Sequence, residues 1–169
     1  MAKPSSVASA LSTRRRRAPE VTAYLDAVRQ SRGPHSYVSL LGLRAYDTPT
    51  LHARVRAGLS FAAFQRLLRV TALPMHTAAA ILHIPPRTLQ RRRVAGRLHP
   101  DESDRLVRLS RIIGKAIELF EGDPEGALQW LGAPVTALGG ATPLALSQTE
   151  PGALEVEQLI GRLEHGVFA

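Results

Sequence analysis

The sequence predicts an all-α protein on three observations. Apolar residues make up 44% of the 169-residue chain but aromatics only 5%, so the core must come from Leu, Ile, Val and Ala, which suits packed helices better than strands. These apolar residues recur at spacings of three and four, the period of one helix face. Proline and glycine fall between the periodic segments, where they start and stop helices.

Val21, Leu25 and Val28 lie at helical spacing between Glu20 and Gln30, and Gly33-Pro34 stops that helix. Residues 37–46 are short and mixed: a strand or a buried linker fits equally well, ended by the turn residues Asp47-Thr48-Pro49. Helix returns from about Pro49 to Ala57, stopped by Gly58, and again from the N-cap Ser60 through Phe61, Phe64, Leu67 and Leu68 to Arg69. From Leu73 to Arg93 the chain predicts helix, tight turn, helix. Pro74 suits a helix start, Ala78, Ala79 and Ala80 permit close helix approach, and Ile81, Leu82 and Ile84 form the seam. Pro86 fits the first turn of a second helix reaching Val94, which buries Leu89 and sends Arg87, Thr88, Gln90, Arg91 and either Arg92 or Arg93 outward.

That layout is a helix-turn-helix, whose second helix enters the DNA major groove. Candidate DNA-binding residues are Thr77, Arg87, Thr88, Gln90, Arg91, Arg92 and Arg93, since Arg pairs bidentately with guanine, Gln with adenine, and further arginines neutralise phosphates. Five arginines between positions 87 and 97, with no acid among them, repel one another unless a polyanion is present. His83 stands where such turns favour Gly for a left-handed backbone.

Charge divides the chain near residue 100. Residues 1–99 carry 17 basic and 3 acidic side chains, net +14; residues 100–169 carry 5 and 11, net −6, which together give +8. The basic half suits a polyanion, and the acidic half must contact something else. The expected organisation is a basic disordered arm over 1–20, including Arg14 to Arg17, a DNA-binding domain over 21–99 and a second helical domain over 100–169. The arm is either a solvated tail or a source of extra phosphate contacts.

In the acidic half, His99-Pro100-Asp101-Glu102 starts a long helix whose Leu106, Leu109, Ile113, Ile117 and Phe120 form one stripe as far as about Glu121. Gly122 ends it, and Asp123-Pro124-Glu125 opens a short helix to Leu131. A loop of small residues follows, with Gly139-Gly140 as a turn or a point of close backbone approach, then the cap pair Thr142-Pro143. Thr149-Glu150-Pro151 opens a last helix carrying Val156, Leu159, Ile160 and Leu163, with Gly166 as its stop. Trp130 is either a core anchor or an interface residue, and the apolar tail after His165 either meets a partner or packs on its own helix.

Leu98-x-Pro-Asp-Glu-Ser-Asp-Arg-Leu-x-Arg-Leu109, Ala127-Leu-x-Trp-Leu131, Leu138-Gly-Gly-x-Thr-Pro-Leu144, and Thr149-Glu-x-Gly152 followed by Gly161-Arg-Leu-Glu-His-Gly166 occur in order. Together they resemble the toxin-binding domain of Xre/MbcA/ParS-type antitoxins, and the likeness extends over about residues 50–169, with an Xre-like helix-turn-helix bundle in front. The resemblance implies a type II antitoxin that neutralises a cognate RES-domain toxin, an enzyme consuming NAD, and that binds operator double-stranded DNA to repress its own operon. On the matching motifs it assigns toxin binding to Trp130, Leu138, Gly139, Gly140, Pro143, Glu150, Arg162, His165 and Gly166; Val167, Phe168 and Ala169 join them as candidates on the apolar character of the tail alone. His99 and Pro85 depart from the small caps more usual in the family.

No enzyme, cofactor or metal is expected. The six histidines show no ligand spacing, cysteine is absent, and no Ser/His/Asp order suggests a nucleophile. No apolar run approaches the roughly 18 residues of a membrane span, and residues 1–20 lack the apolar stretch of a secretory signal, so a cytoplasmic location is expected, with no membrane partner. A homodimer within a hetero-oligomeric toxin–antitoxin complex is expected because palindromic sites reward a two-fold pair. The rival is a stand-alone transcription regulator whose C-terminal helices dimerise or bind an effector.

Overall fold

The computed structural model describes residues 19–166. The basic arm therefore lies outside the described residues up to position 18, as do Val167, Phe168 and Ala169. Among the described residues the chain is helical without a named strand. The helices are α1 (Pro19–Arg29), α2 (Thr48–Ala57), α3 (Phe61–Thr71), α4 (Met75–Ile81), α5 (Pro86–Ala95), α6 (Pro100–Leu119), α7 (Pro124–Gly132), α8 (Pro143–Leu146) and α9 (Glu150–Glu164). Short 3-10 segments occupy Ser36–Leu41 and Thr136–Leu138. No described helix is long and apolar enough to cross a membrane.

Side-chain caps set many of the boundaries. Asp47, Ser60, Asp123, Thr142 and Thr149 each accept a hydrogen bond from a backbone N–H of the first turn they precede. Pro85 caps α5 without a side-chain bond, and Pro86 fills the first position, where a missing N–H costs nothing. His83 adopts φ 52° in the turn between α4 and α5, so the left-handed position is real and is occupied by a residue that is strained there.

Residues 36–41, the first part of the segment left open as strand or buried linker, are not a strand but a buried connection between α1 and α2. They form a 3-10 turn that is buried along its whole length, with Tyr37, Val38, Leu40 and Leu41 packed on all sides, and Gly42 ends it at φ 72°. A segment enclosed on every side has no polar face, and hence no period in its sequence.

One hydrophobic cluster runs from Val21 to Ile160, so the inversion of charge near residue 100 is not a division of the core. Helix α6 is its axis. Leu106, Leu109, Ile112, Ile113, Ala116 and Ile117 are buried, and the helix packs against α2, the Ser36–Leu41 turn, α7 and α9. Gly114 lets α6 sit tightly against two tyrosines: a Cβ there would lie 3.0 Å from the Tyr24 hydroxyl and 3.0 Å from Tyr37 Cβ. At the start of α6, Ser103 Oγ accepts from Leu59 N at 2.8 Å and donates to His99 O at 2.8 Å, tying the helix to the α2–α3 link.

Candidate functional site

Helix α5 presents the basic face. Arg87, Gln90, Arg91 and Arg93 are exposed, while Thr88 and Leu89 are half-buried against the bundle. Thr77, in the first turn of α4, is half-buried beside them. The side chains of Arg87, Arg91 and Arg93 form no hydrogen bond or ion pair among the described residues, leaving three cations and one amide turned to solvent.

Arg92 differs from its neighbours and decides the alternative left open between Arg92 and Arg93: Arg93 faces outward, whereas Arg92, also a candidate for DNA contact, is turned inward. Its Nε donates to both oxygens of Glu102, at 3.0 and 2.8 Å, with only 18% of the Arg92 side chain and 6% of the Glu102 side chain exposed. The hydrogen bond to Glu102, helped by the fields of Glu102 and Asp101, raises the Arg92 pKa against the opposing effect of burial. Glu102 also accepts from His99 N at 2.8 Å, so one carboxylate holds the start of α6 and the back of α5 together. Arg97 is likewise structural, donating to Ala57 O at 2.7 Å and Gly58 O at 3.1 Å. Of the five arginines between 87 and 97, two therefore support the fold and three face outward. Glu102 was visible in the sequence only as a helix-start charge; its spacing of three from the cap His99 was the available signal of its second role.

The residues assigned to the C-terminal face separate into two groups. Leu138 and Pro143 are buried, so they shape the loop from within the core instead of offering it a contact surface. Gly139 and Gly140 are exposed at φ 66° and 81°, and a Cβ on either would meet nothing within 4 Å. The pair thus serves a left-handed turn open to solvent, and not a close approach within the chain. Trp130 is half-buried against Phe120, ring centroids 6.3 Å apart and tilted by 47°. Arg162 is half-buried on α9, and His165 is exposed, its Nδ1 donating to Gly161 O at 2.8 Å at the helix end before Gly166 turns at φ 65°.

Glu150 is engaged internally. It accepts from Arg108 Nε and from an Arg111 terminal nitrogen, both at 2.7 Å, while Arg111 Nε lies 2.7 Å from Glu157 in an ion pair bent away from hydrogen-bond geometry. Lys115 reaches the other Glu157 oxygen at 3.0 Å. Burial pushes the Glu150 pKa up, but its bonds to Arg111 and Arg108 outweigh this and hold it below the usual carboxylate range. Beside this ladder, burial and the Glu118 carboxylate that accepts from its hydroxyl push Tyr24 far up. Burial and the nearby Arg111 charge lower His35, which stands 2.8 Å from the Tyr37 hydroxyl. Much of the negative charge of the second half is thus taken up by its own arginines. Among the described residues no cluster of His, Asp or Glu could hold a metal ion.

Two contacts that the sequence did not suggest connect the helix-turn-helix to the C-terminal half. Arg105 Nε donates to Leu82 O at 2.7 Å, and His83 Nε2 lies 3.2 Å from Gln148 Oε1.

A family model described as the antitoxin Xre-like helix-turn-helix domain matches residues 50–111, and one described as the antitoxin Xre/MbcA/ParS C-terminal toxin-binding domain matches residues 115–166. A protein named Antitoxin Xre from Yersinia enterocolitica is 39% identical over 130 residues, covering 76% of this chain and 88% of the relative. The chain belongs to the Xre antitoxins. A second Antitoxin Xre, from Photorhabdus laumondii, is 34% identical over the same shares of both chains. A Sphingobium protein named Prs ADP-ribosylating antitoxin is 29% identical over 80 residues, 43% of this chain and 50% of that protein. In this Xre antitoxin the two family matches meet between residues 111 and 115, inside α6, the helix around which the shared core is built.

Proposed function

We propose that this antitoxin neutralises a RES-type, NAD-consuming toxin through its C-terminal half and, as a homodimer, represses its own operon by laying α5 in the major groove of operator DNA. It acts by occupancy and not by catalysis, in the cytoplasm. The observation that carries the DNA reading is the outward face of α5. Arg87, Gln90, Arg91 and Arg93 stand clear of any internal partner on a helix held from behind by the Arg92–Glu102 pair. Such a face supplies phosphate neutralisation from the exposed cations and base recognition from Arg87 and Gln90. For the toxin, support comes from the resemblance of the ordered motifs and from the open turn at Gly139-Gly140, together with exposed His165 and the tail Val167 to Ala169 that continues from it.

The test is co-expression with the product of the adjacent gene, followed by binding to the DNA upstream of the pair. The wild-type chain should relieve growth arrest, co-purify with the second protein and retain the upstream DNA. Arg87→Ala and Gln90→Ala should each weaken specific DNA binding by roughly 1–3 kcal/mol and leave growth relief intact. Deleting residues 167–169 should do the reverse. Persistent arrest in the presence of the wild-type chain refutes neutralisation, and upstream DNA that is bound with no dependence on salt refutes the α5 assignment.

A further inference from the structure

We propose that Val94 reads the C5-methyl group of a thymine and is thereby a specificity-determining residue of the DNA interface; the inference rests on the DNA-binding reading above. Val94 is 80% exposed, the most exposed large apolar side chain among the described residues. The fold does not explain it. Valine is a poor helix former, and an exposed helix position is better served by Ala, Lys or Glu.

Its place on α5 is informative. Val94 follows Arg87 by seven residues, and Gln90 and Arg91 by four and three, so all four share one helix face. The bond from Arg92 to Glu102 and the half-buried Leu89 lie on other sides and fix the rotation of the helix, which aims that face away from the bundle. An apolar patch on a partner protein would have to bury the unpaired guanidinium groups of Arg87, Arg91 and Arg93 around it, at the cost of removing charges from water. A polyanion neutralises them instead. In the major groove of B-DNA the apolar group on offer is the thymine methyl. Because valine is β-branched, a helix leaves it one strongly preferred rotamer, so its methyl groups are already held for contact. Seven residues at about 1.5 Å each span about 10 Å, or about three base pairs, which places the thymine within that distance of the base met by Arg87.

The experiment selects tight binders of the full chain from a pool of randomised duplexes, then replaces each thymine of the selected sequence in turn with uracil, which lacks only the methyl. At one thymine, and at its symmetry mate in a palindrome, uracil should weaken wild-type binding about fourfold, the worth of one buried methyl-sized group. Val94→Ala should bind the thymine duplex about fourfold more weakly and no longer distinguish the two bases there. Its thermal midpoint should not fall, since the side chain is exposed. The proposal is overturned if no thymine is methyl-sensitive in the wild type, or if Val94→Ala keeps the sensitivity. It is also overturned if Val94→Ala changes the oligomeric mass while methyl discrimination persists, which would assign the residue to contact with a second copy. A pool that yields no bound duplex at all instead removes the DNA-binding reading itself.

Discussion

Replacing Glu102 with Ala should destabilise the chain by about 2–4 kcal/mol, and replacing Arg92 with Ala should cost about 3 kcal/mol. Exposed ion pairs contribute about 0–1 kcal/mol, whereas removing one partner of a buried pair costs about 3–5 kcal/mol. With 18% of the Arg92 side chain and 6% of the Glu102 side chain exposed, this pair lies near the buried limit. Glu102→Ala also removes the acceptor of His99 N, worth about 1 kcal/mol as a cap. Against this, Arg92 has a long stem and some access to water, so the freed cation recovers part of its hydration. Arg92→Ala leaves the deeper-buried Glu102 with only the His99 N–H. Urea unfolding measures both losses, and a double-mutant cycle should show coupling well above about 0.5 kcal/mol. DNA binding against salt then separates anchoring from phosphate neutralisation. Arg91→Ala or Arg93→Ala should make the salt slope shallower by about 0.9 for each phosphate that is no longer neutralised, while Arg92→Ala should weaken binding at unchanged slope because α5 is displaced. An Arg92→Ala slope that drops as far as that of Arg91→Ala, or a cycle with no coupling, would refute the inward anchor.

Gly114→Ala should destabilise by about 1 kcal/mol, an overpacking cost of about 1–3 kcal/mol against Tyr24 and Tyr37 partly offset by better helix propensity; an unchanged urea midpoint would show that the tyrosines have room to move. His83→Gly should raise stability by about 0.5 kcal/mol, the relief of a left-handed backbone at φ 52° less the greater freedom of an unfolded glycine; a lower midpoint would mean that the Gln148 contact outweighs the strain. Acid should unfold the chain partly through Glu150, whose pKa is lower folded than unfolded. Its contribution is complete above the ordinary carboxylate pKa and is lost as pH falls through the folded value. Glu150→Gln should therefore show a flatter acid limb in a stability–pH profile, and superimposable limbs would remove that role.

Helix starts and stops were largely legible in the sequence because they depend on neighbouring residues. Ser60, Asp123, Thr142 and Thr149 cap the turns they precede, and Pro86 and Pro124 fill first-turn positions. The helix-turn-helix layout, the left-handed turn at His83, the inversion of charge and the ordered motifs of the family could be read the same way. The 3-10 turn at Ser36–Leu41 could not, since burial on every side erases the period that distinguishes one element from another. Nor could composition decide which arginines of α5 meet solvent. Arg91, Arg92 and Arg93 are identical neighbours, and only the docking of α6 brings Glu102 within reach of Arg92. The same long-range packing takes Leu138 and Pro143 into the core and leaves Gly139 and Gly140 outside it. Local chemistry thus determined the elements and their polarity. The tertiary structure decided which charges are consumed in holding the molecule together and which remain for a partner, because that depends on residues distant in the chain meeting across one core.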